Sequence, residues 1–424
     1  MNKGVVSMTT RIEVTKQLKQ AYKTAARSEK SKILDQFCAT TGLSRVSARR
    51  YLTSPHLGVK NVTRLDRRRH RPTKYSAASK RVLVWVWRVM MYPCGKYMQQ
   101  MLPEWVPQLE AHGELRNGVH DYSAEVRAEL LQMSAATIDR YLREHRQALE
   151  LKGISATRSG ALLRTSITIR KAGDEAEHEP GFLECDTVAH CGPTLKGEFA
   201  RTLTATCVHT GWTHLEVLRN NARVHMLAAL DRLAATLPFE IAGLDCDNGS
   251  EFINDKVVEW AGGRKIFFTR SRPYKKNDQA VVESKNNHIV RKYGFYRYDT
   301  ADERDVLAKL WRVVMLKMNF FTPTKKPVGW ETDGQGRRRR VYDAPKTPYQ
   351  RLLDAGVLSK AQERALRAQH AQLNPVELTR DIVRYQGMLI TKASWKTEVL
   401  TAEVEDAKQN RRKRQTGGVK LRTA

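Results

Sequence analysis

The order of apolar patterns between Gly181 and Tyr293 restricts this chain more than any other feature of it. Gly181 to Val188 reads as a strand and Phe199 to Val208 as a second. The turn His209-Thr210-Gly211-Trp212 leads into a third, Thr213 to Leu218. From Ala222 to Leu237 the residues Val224, Leu227, Ala228, Leu230 and Leu233 recur at helical spacing, and Pro238 ends the run. Glu240 to Asp247 is a fourth strand, followed by a short helix (Asp255 to Trp260), a fifth strand (Lys265 to Thr269) and a helix from Asp278 to Tyr293. Three hairpin strands and then alternating helices and strands predict one α/β domain over residues 181–300.

Three carboxylates occupy particular places in that order. Asp186 lies inside the first strand, and Asp247 ends the fourth, just before Asn248-Gly249-Ser250-Glu251-Phe252. Glu283 lies on the last helix, 36 positions after Asp247, so 35 residues intervene. Asp245 shares a strand face with Asp247 and is its local rival. The glycine turn and the spacing to Glu283 both favour Asp247.

These residues resemble the DDE superfamily, the retroviral-type integrases and bacterial insertion-sequence transposases. The likeness rests on Glu184-Cys185-Asp186-Thr187, on the Asp-Asn-Gly-Ser-Glu-Phe element and on the D-35-E spacing. Arg272-Pro273-Tyr274-Lys275-Lys276-Asn277-Asp278-Gln279, ahead of Val282-Glu283-Ser284-Lys285-Asn286-Asn287, is also similar to the family. The resemblance implies a ribonuclease-H-like core whose catalytic and metal-binding residues are Asp186, Asp247 and Glu283. It implies two Mg²⁺ ions, with Mn²⁺ able to substitute, Asp186 bridging both and the other two carboxylates closing one each. Mg²⁺ takes oxygen ligands and keeps waters for its substrate, and two such ions can clamp an in-line phosphoryl displacement. The implied reaction is cleavage at the 3′ ends of a mobile element and strand transfer of those ends into target DNA. Lys275, Lys276, Lys285 and Arg291 are candidates to hold DNA phosphates beside the metals. His190 and His209 read as structural or exposed rather than as ligands, and Trp212 and Trp260 as core.

The charge distribution agrees with a polyanionic partner. The chain carries 74 Lys plus Arg against 45 Asp plus Glu, a formal charge of +29. Residues 1–180 hold 32 basic and 17 acidic side chains, a net +15, and residues 301–424 hold 26 and 14, a net +12. Residues 181–300, with 16 and 14, are almost neutral at +2. Two basic arms therefore flank a core whose essential charges are acidic, and DNA is the expected ligand of the arms.

The first arm contains a repeat. Leu43-Ser44-Arg45-Val46-Ser47-Ala48-Arg49-Arg50-Tyr51-Leu52 aligns without gaps on Met133-Ser134-Ala135-Ala136-Thr137-Ile138-Asp139-Arg140-Tyr141-Leu142. Each segment opens with an apolar residue and then a serine suited to capping a helix, and follows another apolar-periodic helix. The pair resembles two helix-turn-helix units whose second helices enter a major groove. Arg45, Arg49 and Arg50 are the base or phosphate candidates of the first, and the second offers Ala135, Ala136, Asp139 and Arg140, a weaker set for DNA. Between them Arg67, Arg68, Arg69 and Arg71 lie in a Pro-broken basic stretch suited to phosphates or a minor groove.

The expected organisation is multidomain. It runs from a helix-turn-helix domain at 1–66, through a basic linker at 67–80, a second helix-turn-helix region at 81–150 and a linker at 151–180, to the α/β core at 181–300. A mainly helical, basic C-terminal region follows at 301–424. In that region Ala301 to Phe320 reads as helix, 322–336 as a Pro- and Gly-rich loop and 348–373 as helix, with a disordered tail around Arg411-Arg412-Lys413-Arg414. The most apolar run, Val82 to Trp87, is far short of a membrane span, and six scattered cysteines suggest neither zinc nor a disulfide framework. The chain reads as a cytoplasmic, nucleoid-associated transposase acting on element ends and target DNA. The family likeness implies a homo-oligomer on DNA, and an ATPase helper is a further candidate partner. A catalytically silent DNA-binding regulator and a structure-selective nuclease on the same fold are the alternatives.

Overall fold

The computed structural model describes residues 8–54, 74–147, 168–170, 179–247, 249, 251–271, 279–332, 334 and 336–416. The chain divides into two units, Met1–Lys74 and Tyr75–Ala424. In the first, α1 (Met8–Thr24), α2 (Arg27–Thr41) and α3 (Arg45–Thr53) bury Tyr22, Leu34, Phe37, Ala48 and Leu52. Gly42 stops α2 at φ 69°, a left-handed conformation from which its N–H donates to the Cys38 carbonyl. Ser44 then accepts from the Ser47 N–H and starts α3.

The second unit opens with α4 (Ala77–Val89), α5 (Gly95–Ala111), α6 (Ala124–Gln132) and α7 (Ala135–Gln147). The sequence repeat is a structural repeat. Ser134 accepts from the Thr137 N–H at 3.3 Å as Ser44 does from Ser47 at 3.4 Å. The matched pairs Ala48 and Ile138, Leu52 and Leu142, are all fully buried. The repeats differ where Arg49 matches Asp139. Asp139 accepts the Gly95 N–H at 2.7 Å and pairs with Arg146, holding the start of α5. A Cβ on Gly95 would stand 2.2 Å from the Ala135 carbonyl, so only glycine permits this approach.

A six-stranded sheet follows, in the order β1-β6-β5-β2-β3-β4. Its strands are β1 (Thr168–Arg170), β2 (Phe182–Ala189), β3 (Arg201–Cys207), β4 (Thr213–Leu218), β5 (Gly243–Cys246) and β6 (Phe267–Ser271). The first three of the α/β domain, β2 to β4, form an antiparallel meander, and β5, β6 and β1 add in parallel. The crossovers are α8 (Arg223–Thr236) and α9 (Asp255–Gly263). β1 falls within the stretch read as a linker, being too short to leave an alternating pattern.

Period-two alternation gives the sheet two different faces. Leu183, Cys185, Leu203, Ala205, Leu244 and Cys246 pack with α8 and α9 in a hydrophobic cluster that continues into α4–α7. Val188 and Leu215 belong to a second cluster with α12 (Ala301–Phe321) and α15 (Pro375–Thr416). The helix after β6 is composite: α10 (Ala280–Lys285), a π turn (Asn286–Val290) and α11 (Arg291–Tyr293).

The C-terminal region departs from the expectation in three places. The 322–336 loop is instead a hairpin, β7 (Pro327–Thr332) and β8 (Arg338–Tyr342). Its strands are exposed on both sides, so no apolar alternation marks them. The 348–373 helix is two, α13 (Pro348–Asp354) and α14 (Lys360–Gln372), separated at Gly356 with φ 66°. The backbone of α15 continues as helix through Thr416, over the run at 411–414 where a disordered tail is expected. All six cysteines are free, and no helix among the described residues is long and apolar enough to cross a membrane.

Candidate active site

Parallel pairing of β2 with β5 sets Cys185 opposite Cys246. This register brings Asp186, on β2, beside Asp247, just past the carboxyl end of β5, where open α/β sheets bind their ligands. Burial pushes the Asp186 carboxyl up to about 7, and the Asp247 charge adds to it. Burial pushes Asp247 up to about 6, against the pull of the Gly249 N–H that donates to its Oδ1 at 2.8 Å. The two carboxylates repel each other in a partly dry site.

Two side chains on β2 hold the helix that carries Glu283. Glu184, buried, accepts the backbone N–H groups of Val281 and Val282 at 3.0 and 2.9 Å, placing negative charge at the start of α10. Two residues along the same strand face, Asp186 accepts from Asn286 Nδ2 at 2.6 Å. Asn286 opens the π turn, the type of helix irregularity often found at functional sites. Its Oδ1 is buried and has no hydrogen-bond partner among the described residues.

Glu251 is a further acidic group at the site. It accepts from Thr187 Oγ1 at 2.8 Å and from Arg201 Nη1 at 3.3 Å, and its charge raises both Asp186 and Asp247. Gly249 lies close between them: a Cβ there would stand 2.7 Å from Glu251 Oε2 and 2.8 Å from Asp247 Oδ1, so any larger residue would displace these carboxylates. The sequence displays Glu251 inside the Asp-Asn-Gly-Ser-Glu element, and that was its available signal. Glu184 and Asn286 lie in segments that carry the family likeness, but their positioning roles emerge only in the fold, and Arg201 has no signal short of it.

The other candidates divide clearly. Glu283 is exposed on α10, and no three His, Cys, Asp or Glu side chains among the described residues are grouped to hold one ion. Asp245 is fully buried and accepts from Thr269 Oγ1 at 2.7 Å and Gln279 Nε2 at 3.3 Å, a structural position. Arg291 donates to Asn287 Oδ1, and its charge draws the Asp186 pKa back down. Lys285 is half-buried, and desolvation with the nearby Arg351 lowers it to about 8. His190 is buried and bonded to the Gly294 carbonyl and Thr202 Oγ1, and burial lowers it to about 4, so it stays neutral. Trp212 and Trp260 are buried. In the first unit Arg45 pairs with Asp35, while Arg49 and Arg50 are exposed. Arg140 is exposed on α7, 5.5 Å from the Tyr141 ring centre. Arg67, Arg68, Arg69, Arg71, Lys275 and Lys276 lie outside the described residues.

The donor set suits a hard divalent cation. Asp186 and Asp247 place desolvated, mutually repelling carboxylates side by side, Glu251 adds negative charge, and Asn286 Oδ1 is an oxygen awaiting a partner.

Sheet order and paired carboxylates define an integrase-type α/β core. The family model of the integrase core domain matches residues 176–276. The Uncharacterized protein y4rM of Sinorhizobium fredii (strain NBRC 101917 / NGR234) is 36% identical over 324 residues, covering 76% of this chain and 89% of its own. The catalytic core domain of BIV integrase, a crystal structure, matches at 16% identity with a TM-score of 0.26, over 42% of this chain and 95% of that one. The chain belongs to one family with y4rM and carries an integrase core domain over residues 176–276. Integrase core domains are typically polynucleotidyl transferases and generally use divalent metals.

Proposed function

We propose that this protein is a DNA transposase that cleaves the 3′ ends of a mobile element and joins them to target DNA. The observation that carries the reading is the half-buried pair of Asp186, within β2, and Asp247, just past the end of the adjacent parallel strand β5. With Glu283 they are the residues that would hold Mg²⁺, or Mn²⁺ in its place. The chemistry supplied by the bound ions is Lewis-acid activation of the attacking oxygen and stabilisation of the leaving one.

The chain's own residues position that chemistry. Asn286 fixes the Asp186 carboxylate, while Glu184 fixes the start of the helix bearing Glu283. Arg201 holds Glu251 against Thr187 and keeps its charge beside the pair. Arg291 and Lys285, on the same composite helix, would meet the DNA backbone, with Lys275 and Lys276 ahead of it. The two Ser-capped helices, α3 and α7, would read the terminal repeats as helix-turn-helix units, with Arg49, Arg50 and Arg140 on exposed positions. Arg67, Arg68, Arg69 and Arg71 would follow the phosphates between them, and two DNA ends would require an oligomer.

The test uses duplexes copied from the DNA flanking the coding region. Incubated with the protein and Mg²⁺, they should be nicked at a 3′ end and joined to a second duplex, and EDTA should stop both steps. Binding without cleavage would favour the regulator, and cleavage without joining would favour the nuclease.

A further inference from the structure

The run Arg337-Arg338-Arg339-Arg340 has no part in the site above. Most of it lies in β8, paired antiparallel with β7 in a two-stranded sheet that joins no other described strand. The register sets Trp330 opposite Arg340 and Thr332 opposite Arg338, so Trp330, Arg338 and Arg340 share one face. The Arg338 and Arg340 guanidinium carbons lie 5.4 and 5.3 Å from the Trp330 ring centre. Among the described residues neither guanidinium meets a carboxylate. On the other face Glu331 stands opposite Arg339 and pairs with it at 2.8 Å. One face is cationic and aromatic, and the other neutralises itself.

The ribbon adds nothing to the core. Every residue of β7 is exposed, Trp330 by 56% and Val328 by 63%. A lone hairpin is marginal in water, and this one is held only at its stem. Thr324 and Lys346 exchange backbone hydrogen bonds, and the Lys326 N–H donates to Asp343 Oδ1 at 2.7 Å. Arg351 donates to the Thr324 carbonyl and to Asp343, and Lys326 Nζ reaches the His209 carbonyl at the β3–β4 turn. The stem is therefore fixed to the sheet that carries Asp186.

We propose that this hairpin is a DNA-gripping arm whose Trp330–Arg338–Arg340 face binds the sugar–phosphate backbone of duplex DNA. Residues 325–346 carry seven basic and three acidic side chains, a net +4. A major groove about 12 Å wide admits a two-stranded ribbon. Stacking on Trp330 pre-orients each guanidinium fork and leaves its N–H edge for bidentate contact with phosphate. The inference rests on the transposase reading only for the identity of the polyanion.

The test is fluorescence anisotropy of a labelled mixed-sequence duplex with the full-length protein, across a salt series. Arg338→Gln with Arg340→Gln should weaken binding by about 10-fold and lower the log Kd against log salt slope by about two. Trp330→Ala should weaken it several-fold with the slope unchanged. Arg339→Gln, on the opposite face, should stay within about twofold of wild type, and the Tm of every variant should hold because the ribbon lies outside the core. Binding is read with EDTA present, where no cleavage or joining takes place, so a failure of the chemistry and a failure of the arm are distinguishable. Unchanged affinity and slope in the double variant would overturn the proposal. So would a change in sedimentation without a change in DNA affinity, which would mark the ribbon as a protein-docking surface.

Discussion

Asn286 Nδ2 donates to Asp186 Oδ2 at 2.6 Å, joining residues 100 apart in the sequence. The bond ties the first turn after Glu283 to the central strand. Partners that orient a metal-binding carboxylate are worth about 10–100-fold in metal affinity or activity. Asn286→Ala should therefore lower the rate of end joining by that factor while DNA affinity stays within about twofold. Asn286→Asp should be worse, since it adds a charge against Asp186. Joining rates at saturating DNA, with anisotropy alongside, check both.

The carboxylate pair predicts a pH-dependent stability. Asp186 and Asp247 are raised from 3.8 to about 7 and about 6, so the folded state holds their protons more tightly than the unfolded one. Their favourable contribution is full below about pH 4 and is lost as pH rises through 6 and 7. Asp247→Asn removes the repulsion, so without metal it should raise the Tm by roughly 2–4 °C at pH 8 and by almost nothing at pH 4. Mg²⁺ should raise the wild-type Tm more than that of the variant. Calorimetry at the two pH values, with and without Mg²⁺, measures this.

Lys317 is fully buried on α12, and its amine donates to the Val89 and Pro375 carbonyls and to Thr379 Oγ1. It ties α4, α12 and α15 together beside the Trp105 ring at 4.7 Å. Lys317→Ala removes these three donor contacts, of which the Thr379 hydroxyl can replace one at a carbonyl, and leaves a cavity, and should destabilise the second unit by about 3 kcal/mol. The urea midpoint of the full chain reads the loss.

Leu52 is fully buried in the small three-helix unit with Phe37 and Leu34. Leu52→Ala should destabilise that unit by about 2–5 kcal/mol. Sequence-specific DNA binding should fall while the second unit melts at the wild-type temperature. A melting curve in which both units shift together would contradict the division at Lys74.

Much of the α/β core is legible in the sequence because its elements carry their own periodicity. Thr213–Leu218 is the strand its alternation predicts, and Ala222 and Leu237 bound α8 on either side. Ser44 and Ser134 announce their helices because a cap is a local interaction. The Glu184–Val282 and Asp186–Asn286 clamps leave no such trace, since each is made only when β2 meets a helix about 100 residues later. The β7–β8 hairpin was hidden for the opposite reason. Its strands bury nothing, and Pro327, Gly329, Gly334 and Gly336 give the segment the composition of a loop.

The most direct test is Mg²⁺-dependent joining of element-end DNA by Asp247→Asn, compared with wild type at equal folded and DNA-bound fractions. Joining should fall by ~10³-fold or more while DNA affinity stays within about twofold. Joining within tenfold of wild type would contradict the assignment of Asp186, Asp247 and Glu283 as the catalytic carboxylates.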